Sequence, residues 1–358
     1  MPSSAPRRWL IFSLPYWAHL STCLAIARQL TLLGHEVIFA FVYPPKRWVL
    51  DEIAAHGFHC EWSLKYARHA LRSPGWAEQF RAVVAAEVDI IRSVQPDAVI
   101  NDLHYTTSIS GRAYGLPVVS IVRCVFSLDS AMPTGERIPE PRPTADEWNK
   151  LPWGDIQLIP HGRSWFKLRT TRSVYCTPCW VERSVASMTG AIAVKPSNSP
   201  PPAQVLGVLS TAAAWPLHRK NIQAAFEELR SDWLLCDPFS PVRRERVITW
   251  GDLSVLLPAA RVLVCVGGHQ LITRALSSAV PIVVLGTGQP HVEHYGGALE
   301  AAGAGVYVRT TDITAPAILD AVHRVLADSN YHSAAARLRR SFESEPDAAS
   351  ALIGELWG

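Results

Sequence analysis

Charge is scarce in this sequence. Asp, Glu, Lys and Arg make up 18% of 358 residues, and 34 basic against 31 acidic side chains leave a net charge of +3. So small a balance, with the basic residues scattered, argues against a nucleic-acid partner. The densest basic group, Arg243, Arg244 and Arg246, reads as a solvated loop. No run of about 18 uninterrupted apolar residues occurs, so no integral membrane span is expected. Arg7-Arg8 followed by WLIFSLPYWAHLSTCLAIA imitates a leader peptide, yet Pro15 and His19 interrupt it and no small-residue cleavage site follows. Seven cysteines, an odd number without a secretory signal, fit reduced thiols and a cytoplasmic location. Cys176-Thr-Pro-Cys179 forms a CxxC pair, but it lacks a second ligand pair and a thioredoxin-like βαβ context. A structural or incidental role is therefore expected for it.

Apolar residues reach 48%, ample for packed cores, and the length exceeds one ordinary core, so two domains are expected. Short apolar strands alternate with helical patterns along both ends of the chain. Strands are expected over Arg8 to Leu14, Glu36 to Phe41, His59 to Trp62, Ala98 to Asp102 and Val118 to Val122. Helices are expected from Ala18 to Leu33, Arg47 to His56, Trp76 to Val94 and Thr107 to Tyr114. This alternation implies a mostly parallel doubly wound sheet, in which ligands bind past the carboxyl ends of the strands. His19 and Asp102 both lie at such ends. Pro133 to Pro143 is a proline-rich loop, and the next 45 residues show little regular pattern. The run PSNSPPP at Pro196 to Pro202 is the clearest linker. A second αβ set follows, with strands at Val205 to Leu209, Trp233 to Cys236 and Arg246 to Thr249 and a helix near His218 to Leu229.

Leu257 to Val306 is the most distinctive stretch. Val262 to Val266 has the continuous Val-rich character of a strand covered on both faces, and Gly267-Gly268 ends it before a helix. A turn without Cβ atoms lets backbone approach a ligand, and the helix start offers free N–H groups to a diphosphate. From the residues alone, a plain strand-to-helix connection fits as well.

This unit, with the later GQPHVEHYGGALEAAGAG, resembles the donor-binding half of the GT-B glycosyltransferases, in particular the bacterial UDP-glycosyltransferase and MurG-like groups. The N-terminal pattern is similar too: Ala18-His19, an apolar helix, then Gly34-His35-Glu36-Val37, with Ala18 in place of the usual Gly and Thr22 where Pro is common. The resemblance covers roughly residues 8 to 122 and 204 to 340. It implies an α/β chain of the GT-B kind, two Rossmann-like doubly wound domains facing a cleft. Residues 1–190 would form the acceptor-binding domain, 203–345 the nucleotide-sugar-binding domain, and 346–358 a helix crossing back to the first.

The resemblance also implies a chemistry: an inverting, metal-independent transfer of a sugar from a nucleotide-diphosphate donor, UDP or dTDP, to a hydroxyl of a small natural-product acceptor. No cofactor is expected. No Asp-x-Asp metal motif occurs. His19 matches the general base and Asp102 the carboxylate that orients it, a pairing that fixes the imidazole tautomer and stabilises the imidazolium. A helix-capping role for both residues also fits their positions. Gly267, Gly268 and His269 would hold the diphosphate, His269 standing in for the hydroxyl residue that Leu271 replaces. Ser210 and Thr211 would lie near the donor, Trp250 near the base, and Glu293 and His294 near the sugar or ribose hydroxyls. Tyr16 and Trp17, beside His19, are the expected acceptor contacts. Partners are then the nucleotide-sugar and the acceptor, with a monomer or homodimer as the assembly. Two other functions use the same features: a nucleotide-sugar hydrolase or epimerase acting through His19, and a non-catalytic helper built on the same fold, which the altered diphosphate turn (Val266, Gln270, Leu271) would allow.

Overall fold

The computed structural model describes residues 5–63, 76–104, 106–122, 154–161, 173–181, 203–209, 215–237, 246–248 and 252–358. The proline-rich segments at 133–143 and 196–202, and Ser210, Thr211 and Trp250, lie outside these.

The described residues form two parallel sheets. The first contains β1 (Arg8–Phe12), β2 (Glu36–Phe41), β3 (His59–Trp62), β4 (Ala98–Asp102), β5 (Val118–Ile121), β6 (Ile156–Ile159) and β7 (Ser173–Tyr175). Its order is β3-β2-β1-β4-β5-β6-β7. Helices α1 (Trp17–Leu32), α2 (Arg47–Ala55), α3 (Trp76–Val94) and α4 (Thr106–Ala113) connect its strands. The second contains β8 (Val205–Val208), β9 (Trp233–Cys236), β10 (Val247–Ile248), β11 (Val262–Val266), β12 (Ile282–Leu285) and β13 (Gly305–Val308), in the order β10-β9-β8-β11-β12-β13. With it go α5 (Trp215–Glu228), α6 (Leu253–Ala259), α7 (His269–Ser277), α8 (Pro290–Ala301), α9 (Ala315–Ala327), α10 (Ser329–Glu343) and α11 (Ala348–Trp357).

The inner strands β4, β5, β8, β11 and β12 are buried along their whole length, whereas the edge strand β3 is largely exposed. In β1, Trp9 and Ile11 enter the core on one side of the sheet, while Leu10 and Phe12 enter the core on the other. In β11, Leu263 and Cys265 face one core, and Val262, Val264 and Val266 the opposite one. The two-residue pleat thus turns a continuous apolar run into two packed surfaces, and helices cover both.

Two short strands emerge from the stretch whose sequence showed little pattern. β6 and β7, four and three residues long, extend the first sheet by parallel pairing beyond β5. Three or four residues are too few for period-two alternation to stand out. Helix α6, which carries Pro258 inside it, was also not legible in advance; Asp252 caps it through Ser254 N at 2.9 Å.

Helix α11 returns to the first sheet. Ala348, Ala349 and Leu352 belong to the core that also holds Trp9, Leu24 and Phe39. Gln29 of α1 accepts from the backbone of Ala348 (3.1 Å) and Ala349 (3.3 Å), satisfying N–H groups that a helix start leaves open. Trp357 meets Trp9 edge-on at 5.2 Å, and the Arg7 guanidinium lies 5.2 Å from the Trp357 ring. Leu352→Ala should therefore destabilise the first domain by about 2–5 kcal/mol, the usual range for a buried leucine cavity, seen as a lower urea midpoint of intrinsic fluorescence.

Candidate active site

In each sheet the strand order reverses once, between β1 and β4 in the first and between β8 and β11 in the second. Loops leaving the carboxyl ends of those neighbours diverge and open a crevice there. His19 enters the first crevice from the opening turn of α1. Tyr16 precedes that helix in extended conformation, and its carbonyl accepts from His19 N (3.0 Å) and Leu20 N (2.9 Å). Asp102, the last residue of β4, is fully buried. The two side chains meet, with His19 Nδ1 2.9 Å from Asp102 Oδ2, and a fifth of the imidazole surface stays exposed. Cys23, one turn along α1, places its Sγ 3.7 Å from the same oxygen. A carboxylate on Nδ1 makes Nε2 the nitrogen that exchanges a proton with a ligand.

The strand end carrying Asp102 is held in place. Leu103 takes a left-handed conformation (φ 61°), one that a branched side chain adopts rarely and that needs support from around it. His104 bonds to the backbone of Ser13 at the end of β1, and its ring lies 6.2 Å from that of Phe12. Burial pulls its imidazole down to about 4, against the Asp102 carboxylate and the Ser13 bond, so it stays neutral beside the pair. Glu87 of α3 anchors the next helix. Its buried carboxylate accepts from Thr106 (2.6 Å), Thr107 (2.7 Å) and Ser110 (2.6 Å), all in α4.

The acceptor-side expectations separate. Tyr16 stands 64% exposed, its ring 6.4 Å from His19. Trp17 packs against the first-domain core, so packing takes up much of its indole. Tyr43, past the end of β2, is exposed and adjacent to Tyr16; burial and the Tyr16 phenol push its own phenol up. Trp62 ends β3 and is also exposed. The position of Tyr43 past the carboxyl end of β2 is the one signal in the sequence that points to it.

In the second domain Gly267 and Gly268 divide two tasks. A Cβ on Gly267 would sit 2.9 Å from Val284 Cγ1 and 3.3 Å from Ile272 and Val292, so the turn needs glycine for packing. Gly268 is the N-cap of α7, no side chain caps that helix, and a Cβ there would meet nothing within 4 Å. The start of α7 therefore presents backbone N–H groups and the positive end of its dipole. The His269 imidazole is turned toward other rings, 5.6 Å from His161 at the end of β6 and 5.7 Å from Tyr295 of α8.

Glu293 lies in a network within its own domain. It accepts from Gly288 N (3.1 Å), from the Thr310 hydroxyl (3.3 Å) and, through its other oxygen, from the Tyr307 hydroxyl. It thereby ties the turn after β12 to β13. His294 lies next to Tyr295, rings 6.3 Å apart, and burial lowers its pKa. Tyr295 thus links the His269 and His294 positions.

The two crevices face one another. Gln270, in the first turn of α7, donates to the Ser21 hydroxyl, two residues beyond His19 in α1. Arg274, buried in α7, lies 5.3 Å from the ring of Trp180 in the segment after β7. Nothing in the local sequence announced these contacts, which join residues about 90 to 250 positions apart. Among the described residues no group of three or more His, Cys, Asp or Glu side chains could hold a metal ion, and no helix is long and apolar enough to cross a membrane.

Comparisons with known proteins agree with this layout. Residues 242–353 match the family model of the erythromycin biosynthesis protein CIII-like C-terminal domain. A segment of 82 residues is 39% identical to the PGL/p-HBAD biosynthesis rhamnosyltransferase of Mycobacterium bovis (strain BCG / Pasteur 1173P2); it covers 23% of this chain and only 18% of the length of that relative. Among solved structures, the spinosyn rhamnosyltransferase SpnG complexed with thymidine diphosphate matches with a TM-score of 0.68 at 18% identity, over 98% of this chain and 100% of that one. The glycosyltransferase SnogD from Streptomyces nogalater matches with a TM-score of 0.69 at 18% identity, over 98% and 99%. The fold of the chain is GT-B.

The Glu87 lock yields a pH test. Burial pushes this carboxyl from 4.5 to about 7, outweighing its three hydroxyl partners. The folded value exceeds the unfolded one, so stability from this group is complete below about pH 4.5, falls as pH rises to 7 and is flat above. The loss is on the order of 3 kcal/mol. Glu87→Gln, neutral throughout, should lack this fall: urea unfolding at pH 5 and pH 8 should differ less in the variant than in the wild type.

Proposed function

From a chain whose fold is GT-B and whose residues 242–353 match the CIII-like C-terminal domain, we infer a glycosyltransferase of the natural-product kind, acting on a nucleoside-diphosphate sugar and a hydroxyl of a small acceptor. The observation that carries this reading is the His19–Asp102 pair at 2.9 Å, set in one crevice with the uncapped start of α7 in the facing one.

In the proposed reaction the acceptor hydroxyl lies against His19 with Tyr16 and Tyr43 beside it. Nε2 takes the hydroxyl proton as the oxygen attacks the anomeric carbon from the side opposite the diphosphate. The new C–O bond forms as the bond to diphosphate breaks, and the configuration inverts. Asp102 stabilises the imidazolium without itself taking the proton. The nucleoside diphosphate leaves with the electron pair, its charge met by N–H groups at Gly268 and His269 and by the α7 dipole. This assigns diphosphate contact to the backbone of the turn, since the His269 ring faces His161 and Tyr295. No metal is required, because these oriented N–H groups meet the developing charge. His294, kept neutral by burial, and the Glu293 turn border the sugar. Thymidine diphosphate is the first nucleotide to try, since SpnG is a relative in fold solved with it.

Two measurements test the reading. Saturating dTDP or UDP should raise the thermal midpoint, by the equivalent of about 2.7 kcal/mol at a hundredfold excess over Kd; no rise at millimolar nucleotide would count against any donor site. With a dTDP-sugar and a panel of phenolic and macrocyclic alcohols, diphosphate release should depend on acceptor. His19→Ala and Asp102→Asn should each lower it on the order of 10²- to 10⁴-fold while leaving the nucleotide-induced shift intact. Release at the same rate with and without acceptor would instead identify a hydrolase.

A further inference from the structure

The CxxC pair, which sequence alone assigns no chemistry, acquires a setting in the fold. Cys176 follows β7 directly and is wholly buried in the first-domain core, its Sγ 3.7 Å from the Ile159 carbonyl. Cys179 packs on the same core but is only half-buried, and its thiol lies within hydrogen-bonding reach of Cys176. Both are free cysteines. A chain that brings two sulfurs this close over a spacing of three residues needs only a small adjustment to reach bonding distance.

The six residues 176–181 are also the strap where three elements meet. Thr177 N donates to Pro346 O (2.9 Å), in the link leading to α11. Val181 N donates to Ser21 O (3.2 Å), in the same residue whose hydroxyl receives Gln270. Between them Trp180 carries the guanidinium of Arg274, a contact between aromatic face and cation that ties the strap to α7.

We propose that Cys176 and Cys179 form a dithiol site that oxidises to an intrachain disulfide, and that this bridge stiffens the joint between the strap and α7. The oxidant is a small-molecule disulfide. Cys179, the accessible thiol, attacks one of its sulfurs as the thiolate and releases one small thiol, leaving a mixed disulfide on Cys179. Cys176 then gives up its proton and attacks the Cys179 sulfur, forming the Cys176–Cys179 bond and releasing the second small thiol. Two electrons and two protons pass from the pair to the oxidant. Cys176 is wholly buried and does not meet the oxidant itself, and the contact with Cys179 together with burial holds its thiol well above the ordinary range, so it reacts with the sulfur beside it. Cys236, Cys265 and Cys60 are poorly placed for such exchange: burial pushes Cys236 up to about 12 and Cys265 higher still, and burial with the nearby Glu61 carboxylate pushes Cys60 to about 12.

The test uses the full chain and does not depend on any transferase activity. The folded protein is incubated with oxidised glutathione, the remaining thiols are alkylated, and the digest is mapped by mass. A Cys176–Cys179 linked peptide and the loss of two free thiols per chain, both reversed by dithiothreitol, are expected. Amide hydrogen exchange in residues 269–277 should slow several-fold in the oxidised form and stay unchanged in Cys179→Ser treated in the same way. A glutathione adduct on Cys179 alone, a bridge from either residue to Cys124, or a linked peptide that forms only after unfolding in urea would overturn the site. A correct bridge with unaltered exchange in α7 would overturn the coupling.

Discussion

Every strand of each sheet runs in the same direction as its neighbours, and the placement of everything chemical here follows from that constraint. Parallel strands cannot be joined by tight hairpins, so the chain must cross back between them, and α1, α2, α3 and α4 in the first sheet and α5, α6, α7 and α8 in the second make such crossings. All carboxyl strand ends and helix starts then gather on one side of the sheet. Where the order reverses, the outgoing loops part and leave a gap that no packing fills. In the first sheet that gap receives an imidazole and a carboxylate; in the second it receives a glycine turn and a helix dipole. The proposed transfer draws on both, taking the first as its proton acceptor and the second as the place for negative charge.

The part of this arrangement legible in the sequence is the part that local pattern specifies. Val262 to Val266 had to be a covered strand, Gly267-Gly268 had to end it, and the distance from β1 to His19 and from β4 to its last residue put both side chains at strand ends. Their meeting at 2.9 Å follows from the pairing of β1 with β4, which no single segment states but the alternation implies. The side-chain contacts around the Gly267-Gly268 turn are less accessible. The family resemblance makes His269 a candidate phosphate ligand, while its ring neighbours, His161 and Tyr295, come from elsewhere in the fold. Glu293 reads as open to a ligand in the sequence, whereas Tyr307 and Thr310, beyond the end of its own helix, are bonded to it. Short strands such as β6 and β7 escaped notice for a simpler reason: three or four residues carry too little periodicity.

The residues that follow the Gly267-Gly268 turn gain a reason from the joint between the domains. Gln270, in the first turn of α7, is bonded to Ser21, and Arg274 one turn on is stacked on Trp180. One helix therefore faces the cleft with its backbone and the other domain with its side chains. Substitutions there that look like losses of ligand contacts serve a different surface of the same helix. His104 and Glu87 do comparable work on the opposite side, bracing the left-handed step at Leu103 from which Asp102 is presented.

The return of α11 to the first sheet has a consequence for how the protein comes into being. Ala348 and Ala349 are capped by Gln29, more than 300 residues earlier, and with Leu352 they complete the core around Trp9. On a ribosome the early strands emerge long before the helix that finishes their packing, so the first domain waits, partly open, while the second is made and folds. The order of synthesis and the order of completion are thus reversed: the domain begun first is the one closed last, and until then its apolar face around Trp9 lacks the cover of Ala348, Ala349 and Leu352.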